Sequence, residues 1–291
     1  MYRFLILFFF IFSCSKSDSL EQTNIVYNYI YSSTIPQIIE SEKVDRKFWV
    51  RAPKKITKNK YPIVFFFHGN GGEAYRFLQN TPQITNLVDS DQFIAIFPDG
   101  HLKSWNCGNE NSKADDVMFI KNIIDHLKNN TLTNDLMDFD KTYGIGISNG
   151  ALILNKIAKE TSIFNGIAPI ISQQSDSIAN TNGKRPVSIF QVNGTNDDVI
   201  PVNGGKSVIG HTFLSAKQSA ENWALNSNCN LNGVVQSSSN WGNYSVNSFI
   251  YTNCDDNRLV SYNLVNGARH QANFGPNDQL YRRVWDFLKA N

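Results

Sequence analysis

The chain has 291 residues, enough for one large α/β domain or two small ones. Hydrophobic residues make up 41% and charged residues 18%, a balance that excludes a disordered chain. The net charge is +2, and the basic run Lys54-Lys55 with Lys58-Asn59-Lys60 reads as a solvated loop, which argues against nucleic acid as a partner.

Met1-Tyr2-Arg3 supplies one positive charge, and Phe4 to Phe12 is an unbroken apolar run. The run is too short to span a bilayer and fits the apolar core of an export signal. Ser13-Cys14 and a polar Ser-Lys-Ser-Asp-Ser segment follow, and the small residue directly before Cys14 resembles the lipobox of bacterial lipoproteins. That resemblance implies a signal peptide over residues 1–13 and an acylated Cys14 as mature N-terminus. The lipid would anchor the protein to the outer membrane or cell surface. An ordinary secretory signal cut nearby would leave it periplasmic or extracellular. Residues 14–40 are polar and read as a tether followed by a first edge strand; residues 41–291 read as one domain.

Lys47 to Arg51 alternates charged and apolar residues as a strand does, and Ala52-Pro53 ends it. Tyr61 to Phe67 is a continuous apolar run, expected of a strand covered on both faces, and it leads into His68-Gly69-Asn70-Gly71-Gly72. Phe93 to Phe97 predicts another buried strand, stopped by Pro98-Asp99-Gly100. Asp115 to Leu127 predicts a helix with Val117, Ile120, Ile124 and Leu127 on one stripe. Asp115 and Asp116 read as helix-start carboxylates, favourable near the positive end of the dipole. Strands follow at Thr142 to Ile147, Gly166 to Ile170 and Val187 to Val192, with a helix over Ala151 to Lys159 between the first two. Phe213 to Leu225 predicts a helix, Phe249 to Thr252 and Leu259 to Leu264 strands, and Leu280 to Leu288 a closing helix. The alternation implies an α/β fold with a mostly parallel central sheet and helices on both faces.

Gly146-Ile147-Ser148-Asn149-Gly150 sits between a predicted strand and a predicted helix, the context of a nucleophile elbow. In such a turn the serine is strained and the glycines make room where any Cβ would collide. Functional groups of open α/β sheets gather beyond the carboxyl ends of the strands. Three such ends carry candidates in the order Ser148, Asp197, His270. A serine hydroxyl needs a base, an imidazole can take and return its proton near neutral pH, and a carboxylate fixes the imidazole tautomer. Asp198 is the rival acid. An oxyanion hole would draw one amide from Asn149 and a second from Asn70 or Gly71. His68 reads as structural, as do His101, His126 and His211, which have no partner motifs. No metal or organic cofactor is expected for this chemistry.

Of the four cysteines, Cys14 belongs to the signal. Cys229 and Cys254 lie in the C-terminal third and are candidates for a disulfide of the kind an exported chain permits, with Cys107 then left alone; the sequence does not fix the pairing.

Several motifs occur together in one order: Phe67-His68-Gly69, Phe97-Pro98-Asp99-Gly100, Trp105-Asn106-Cys107-Gly108, Asp115-Asp116-Val117, the Gly-Ile-Ser-Asn-Gly elbow, and Asn193-Gly194-Thr195-Asn196-Asp197 followed by Ile200-Pro201. Over roughly residues 45–290 the chain resembles the polyhydroxybutyrate depolymerase and feruloyl esterase group, secreted esterases of the family-1 carbohydrate esterase type. The resemblance implies the α/β-hydrolase fold and carries catalytic roles onto Ser148, Asp197 and His270. It also supports a Cys229–Cys254 pair, since the family often has a cysteine after its Trp-bearing helix, here with Trp223. Asn193 stands where the family usually has His, and Phe274 stands near the place of a usual tryptophan. The implied activity is hydrolysis of esters outside the cytoplasm, either feruloyl or acetyl groups on polysaccharide or hydroxyalkanoate oligomers. Trp105 and Phe274 are candidate pocket walls, and loops 101–114 and 171–185 are expected to shape the pocket. A catalytically silent glycan-binding lipoprotein and a serine peptidase on the same fold are the alternatives.

Overall fold

The structure, a computed structural model, describes residues 29–291, except for the side chains of residues 131–133. The expected signal segment, Cys14 and most of the tether lie outside the described residues. The strands are β1 (Ile30–Ile39), β2 (Glu42–Arg51), β3 (Tyr61–Phe67), β4 (Ile94–Pro98), β5 (Met137–Ile147), β6 (Gly166–Ile170), β7 (Ser188–Gly194), β8 (Gly205–Lys206), β9 (Thr212–Phe213), β10 (Val235–Trp241), β11 (Tyr244–Tyr251) and β12 (Val260–Val265). The helices are α1 (Ala74–Asn80), α2 (Pro82–Asp89), α3 (Asp116–Asn129), α4 (Thr131–Leu136), α5 (Asn149–Glu160), α6 (Asp176–Ala179), α7 (Ala216–Asn226) and α8 (Leu280–Ala290). Among the described residues, no helix is long and apolar enough to cross a membrane.

Ten strands form one sheet in the order β1-β2-β4-β3-β5-β6-β7-β12-β11-β10. From β4 through β12 the neighbours run parallel, and antiparallel strands extend both edges. The expected mostly parallel sheet with helices on both faces is therefore what forms. β3 shows why. Its residues alternate between the two faces, so Ile63, Phe65 and Phe67 enter one core and Val64 and Phe66 the other. The first core is closed by α3, α5 and α7, through residues such as Phe119, Ile153 and Trp223. The second is closed by α1, α2 and α8, where Trp285 packs edge-on against Phe93 and Tyr143 at centroid distances of 4.8 and 5.6 Å. Pro62 has no N–H for the ladder, and the register with β5 slips between Pro62 and Ile63.

One predicted element changes at its start, and one strand was not predicted. The helix expected from Phe213 begins only at Ala216, because Thr212 and Phe213 pair with Gly205 and Lys206 in the β8–β9 ribbon. Ser215 then starts α7 with a capping box to Gln218. At the far edge, β10 is a strand that no hydrophobic period announced: Val235 to Asn240 is exposed and largely Ser and Asn. Cys229 and Cys254 are joined in a disulfide across the turns after α7 and β11, and Cys107 is free and buried.

Asp115 is the N-cap of α3 and accepts from the Met118 amide at 2.9 Å, as a helix-start carboxylate should. Asp116 differs from expectation. It is buried and paired with Arg46 of β2 at 2.7 Å, and its other oxygen accepts from the Asn106 amide at 2.7 Å. Burial pushes the carboxyl up and the guanidinium down, and the mutual attraction opposes both shifts. Arg46 also donates to the Asp99 carbonyl at 3.0 Å and covers the Phe119 ring at 4.0 Å. One ion pair thus ties β2, α3 and the loop 101–114 together. Removing one partner strands the other as an unpaired buried charge. Arg46→Met should lower the unfolding free energy by about 3–5 kcal/mol, measured by urea denaturation, and Arg46→Met/Asp116→Leu should recover part of that loss.

Candidate active site

At the end of β5 the backbone turns at Ser148 with φ +56° and ψ −119°, a conformation that non-glycine residues rarely adopt. The neighbours explain how the turn closes. A Cβ on Gly146 would strike the Gly150 carbonyl, and a Cβ on Gly150 would strike the carbonyls of Phe67 and His68 at the end of β3. Ser148 is the N-cap of α5 yet makes no capping bond with its side chain. Its hydroxyl instead meets His270 Nε2 at 2.8 Å.

His270 lies in the loop after β12, and its Nδ1 is 2.8 Å from Asp197 Oδ2 in the loop after β7. The other Asp197 oxygen accepts from the amides of Val199 and Ile200 at 2.9 and 2.8 Å, so the buried carboxylate is fixed from both sides. A Cβ on Gly194 would strike the Ala268 carbonyl, so only glycine lets the β7 end and the histidine loop approach so closely. Ser148, Asp197 and His270 are brought together as expected of a relay. Asp198 points elsewhere and pairs with exposed Arg269 at 2.5 Å.

The two amides considered beside Asn149 are separated by their partners. The Gly71 N–H donates to the Lys103 carbonyl at 2.8 Å and is not available to a substrate. The Asn70 N–H has no acceptor among the described residues, and Asn70 faces the same cleft as Ser148, Asn149 and His270. Asn149 is the first residue of α5, whose N–H has no intrahelical acceptor. His68 is buried: its Nδ1 is 2.8 Å from the Gly69 carbonyl and its Nε2 accepts from the Gly100 amide at 3.0 Å. Burial holds its pKa below the ordinary value, so it is a neutral part of the scaffold. His126 is likewise structural, 3.2 Å from Ser33 Oγ and edge-on to Phe48.

The cleft over Ser148 has a volume of about 830 Å³. Trp105 and Phe274, expected as its walls, are both fully buried. Trp105 packs against Phe67 and donates its Nε1–H to the His68 carbonyl at 2.8 Å. Phe274 fills the core beside Trp241 and Tyr244. Their apolar area is worth more in the core than at a solvated wall. Asn193, the other departure from the family pattern, is buried in an amide network with Gln173 and Gln191. The apolar part of the lining is aliphatic instead, with Leu102, Ile147, Ile171, Val199 and Ile209, and Ser104, Asn109, Glu110 and Asn111 line the cleft beside it. The loop 101–114 contributes as expected, the loop 171–185 contributes only Ile171 to this lining, and Val199 and Ile209 come from a stretch not singled out by sequence. Sequence reasoning also missed Glu110, which lines the cleft and pairs with His211 at 2.9 Å. No local pattern marks that pair, because its members stand 101 residues apart.

The sheet order, the elbow and the relay define an α/β-hydrolase fold. Comparison with known proteins agrees. The chain is 27% identical over 258 residues to feruloyl esterase B of Piromyces equi, covering 84% of this chain and 45% of that protein. It is 23% identical over 264 residues to the bifunctional acetylxylan esterase/xylanase XynS20E of Neocallimastix patriciarum, covering 88% of this chain and 35% of that protein. The chain thus spans less than half the length of either relative. The solved acetyl xylan esterase of Aspergillus awamori superposes with a TM-score of 0.59 at 12% identity, over 90% of this chain and all of that one, a likeness of fold. No protein-family model matches the chain.

The strain at residue 148 can be read out directly. A glycine there would relax the positive φ, whereas an alanine would not. Ser148→Gly should therefore unfold at a free energy about 1 kcal/mol above Ser148→Ala, the reverse of the ordering at an unstrained site, as measured by chemical denaturation of both variants.

Proposed function

We propose that the chain is an exported serine carboxylic ester hydrolase that removes feruloyl or acetyl groups from a xylan-type polysaccharide through an acyl-enzyme on Ser148. The observation that carries this reading is the relay from Ser148 Oγ to His270 Nε2 and from His270 Nδ1 to Asp197 Oδ2, each at 2.8 Å, opening on a cleft of about 830 Å³. A cleft of this size falls within the range of small-molecule sites, roughly 300–1,000 Å³, and admits a phenolic acid.

The chemistry follows from the bonding. Asp197 has two amides on one oxygen, so its other oxygen is directed at His270 and keeps the imidazole proton on Nδ1. Nε2 then carries the lone pair that takes the Ser148 proton as Oγ attacks the ester carbonyl. The carbonyl oxygen becomes an oxyanion, which the N–H groups of Asn149 and Asn70 are suited to stabilise. His270 returns its proton to the departing alcohol, here a sugar hydroxyl. Water then attacks the acyl carbonyl as His270 takes one of its protons, the bond from the acyl carbon to Ser148 Oγ breaks, and His270 returns that proton to Oγ as the acid leaves. Water is the co-reactant of the second half-reaction, and the proton transfers in both run through His270.

The substrate class rests on the two sequence relatives, named for feruloyl and acetylxylan esters. Export rests on the apolar run at residues 4–12, and the small residue before Cys14 supports lipid anchoring at that cysteine. The test is hydrolysis of methyl ferulate, acetylated xylan, p-nitrophenyl acetate and a hydroxybutyrate oligomer by purified protein. Release from ferulate or xylan should exceed release from the oligomer. Ser148→Ala should abolish turnover with folding intact, and Asp197→Asn should lower kcat by about 10⁴-fold, as the wrong tautomer does in serine proteases. Substantial hydrolysis by Ser148→Ala would sink the assignment, and silence of the folded wild type on all four substrates would favour the glycan-binding alternative.

A further inference from the structure

Glu110 stands in the wall of the cleft with its side chain 12% exposed, and the reaction just derived does not use it. Each of its oxygens faces two donors. Oε1 meets Asn149 Nδ2 at 3.0 Å and His211 Nε2 at 2.9 Å. Oε2 accepts from the backbone amides of Cys107 at 2.8 Å and Asn109 at 3.2 Å. Burial alone would raise its pKa, but the bonds from His211 and the Cys107 amide outweigh it and hold the carboxyl below its ordinary value. The Asn149 side chain is equally committed. Its Oδ1 accepts from the Trp105 amide at 2.8 Å and from Ser104 Oγ at 3.3 Å, and its Nδ2 also donates to the Trp105 carbonyl at 3.1 Å. Glu110 thereby joins three segments distant in sequence: the loop 101–114, the first residue of α5, and the β8–β9 ribbon that carries Ile209 over the cleft. A second bond, from Asn109 Nδ2 to the Gly210 carbonyl at 3.0 Å, reinforces the last of these joints.

We propose that Glu110, oriented by His211, is a positioning residue for the oxyanion site: it holds the side chain of Asn149 so that the backbone N–H of the same residue faces the developing charge on the substrate carbonyl. The inference rests on the reading of Ser148 as the nucleophile. Its physical basis is the dependence of oxyanion stabilisation on preorganisation, where a donor misplaced by about 1 Å costs up to about 10²-fold in rate. Asn149 directly follows the strained Ser148, so its peptide plane is not set by helix geometry alone, and the side chain is the handle by which its orientation is held. A carboxylate beside a developing oxyanion carries an unfavourable charge. That gives the idea a distinctive sign. Were Glu110 felt by the reaction only as a charge, neutralising it would speed acylation. Were it a positioning residue, Glu110→Gln would slow acylation, because the glutamine amide must turn a donor toward either Asn149 and His211 or the two backbone amides.

The experiment uses p-nitrophenyl acetate, with a boronic acid that forms a tetrahedral adduct on Ser148 as the probe of the oxyanion site. Glu110→Gln should lower kcat by about tenfold, leave KM within about twofold, and weaken the boronate by the same factor as kcat. Asn149→Ala should do likewise, and Glu110→Gln/Asn149→Ala should be no slower than the slower single variant, since both changes break one linkage. His211→Gln, which keeps an N–H donor, should stay closer to wild type than His211→Ala. An unchanged or raised kcat in folded Glu110→Gln, or additive losses in the double variant, would overturn the proposal. Should Glu110→Gln fail to fold, equal kcat values for the two His211 variants would overturn it instead. A wild type inactive on p-nitrophenyl acetate, or turnover retained by Ser148→Ala, would remove the nucleophile on which it rests.

Discussion

The close approach of three backbones at Gly146, Gly150 and the end of β3 is the constraint on which the rest depends. With no Cβ at either glycine, the first turn of α5 can lie directly against the carbonyls of Phe67 and His68. The chain can then reverse within one residue, and that residue is Ser148. Its positive φ is a cost borne locally, and the cores on both faces of β3 and β5 hold it in place. The same contact lays the loop after β3 beside the start of α5, which is why Asn70 and Asn149 share a cleft with Ser148. The placement of the proposed nucleophile and of its two proposed oxyanion amides thus follows from one packing event.

A second layer of polar contacts fixes what the packing leaves free. Asp116 and Arg46 bind the loop 101–114 from below through the Asn106 amide, and Glu110 binds it from the cleft side through Asn149 and His211. Between these anchors Trp105 is fully buried, with its Nε1–H on the His68 carbonyl. His68 in turn bridges Gly69 and Gly100. The loop is long and has little regular structure, yet each of these bonds is to a buried or half-buried group. Buried polar groups left unpaired would be costly, so the network favours one loop conformation over its alternatives.

Much of this was legible in the sequence, and the reasons differ by element. β3 and β6 appear with the boundaries read from composition, because strands buried on both faces must be apolar throughout. β10 was illegible because an edge strand with exposed Ser and Asn has no period to betray it. The three residues of the relay were legible because each follows a strand, and parallel strands bring their carboxyl ends to one edge. Trp105 and Phe274 were misplaced because an aromatic residue has the same sequence signature in a core as in a pocket. Asp116 shows a related limit. Its position fits a helix start, and nothing local reveals that Arg46, from a strand 70 residues earlier, neutralises it. Glu110 and His211 were hidden for the same reason.

The aliphatic part of the cleft lining bears on how the proposed substrate would be held. Leu102 and Ile209 reach it from loops that the Glu110–His211 and Asn109–Gly210 contacts hold together, and Ile147 and Ile171 line it at the end of β5 and just after β6. Side chains of this kind can cover an acyl group by area, at about 25 cal/mol per Å² of apolar surface, but they offer it no hydrogen bond. On the proposed reading, orientation comes from the carbonyl, held between Ser148 Oγ and the amides of Asn70 and Asn149, and from polar side chains that also line the cleft, such as Asn111. On the same reading, discrimination among acyl groups falls to the shape of the loops, while Ser148, Asp197 and His270 stay fixed beyond the strand ends. Such a division of labour is general in folds whose strands place the reacting groups and whose loops shape what fits above them.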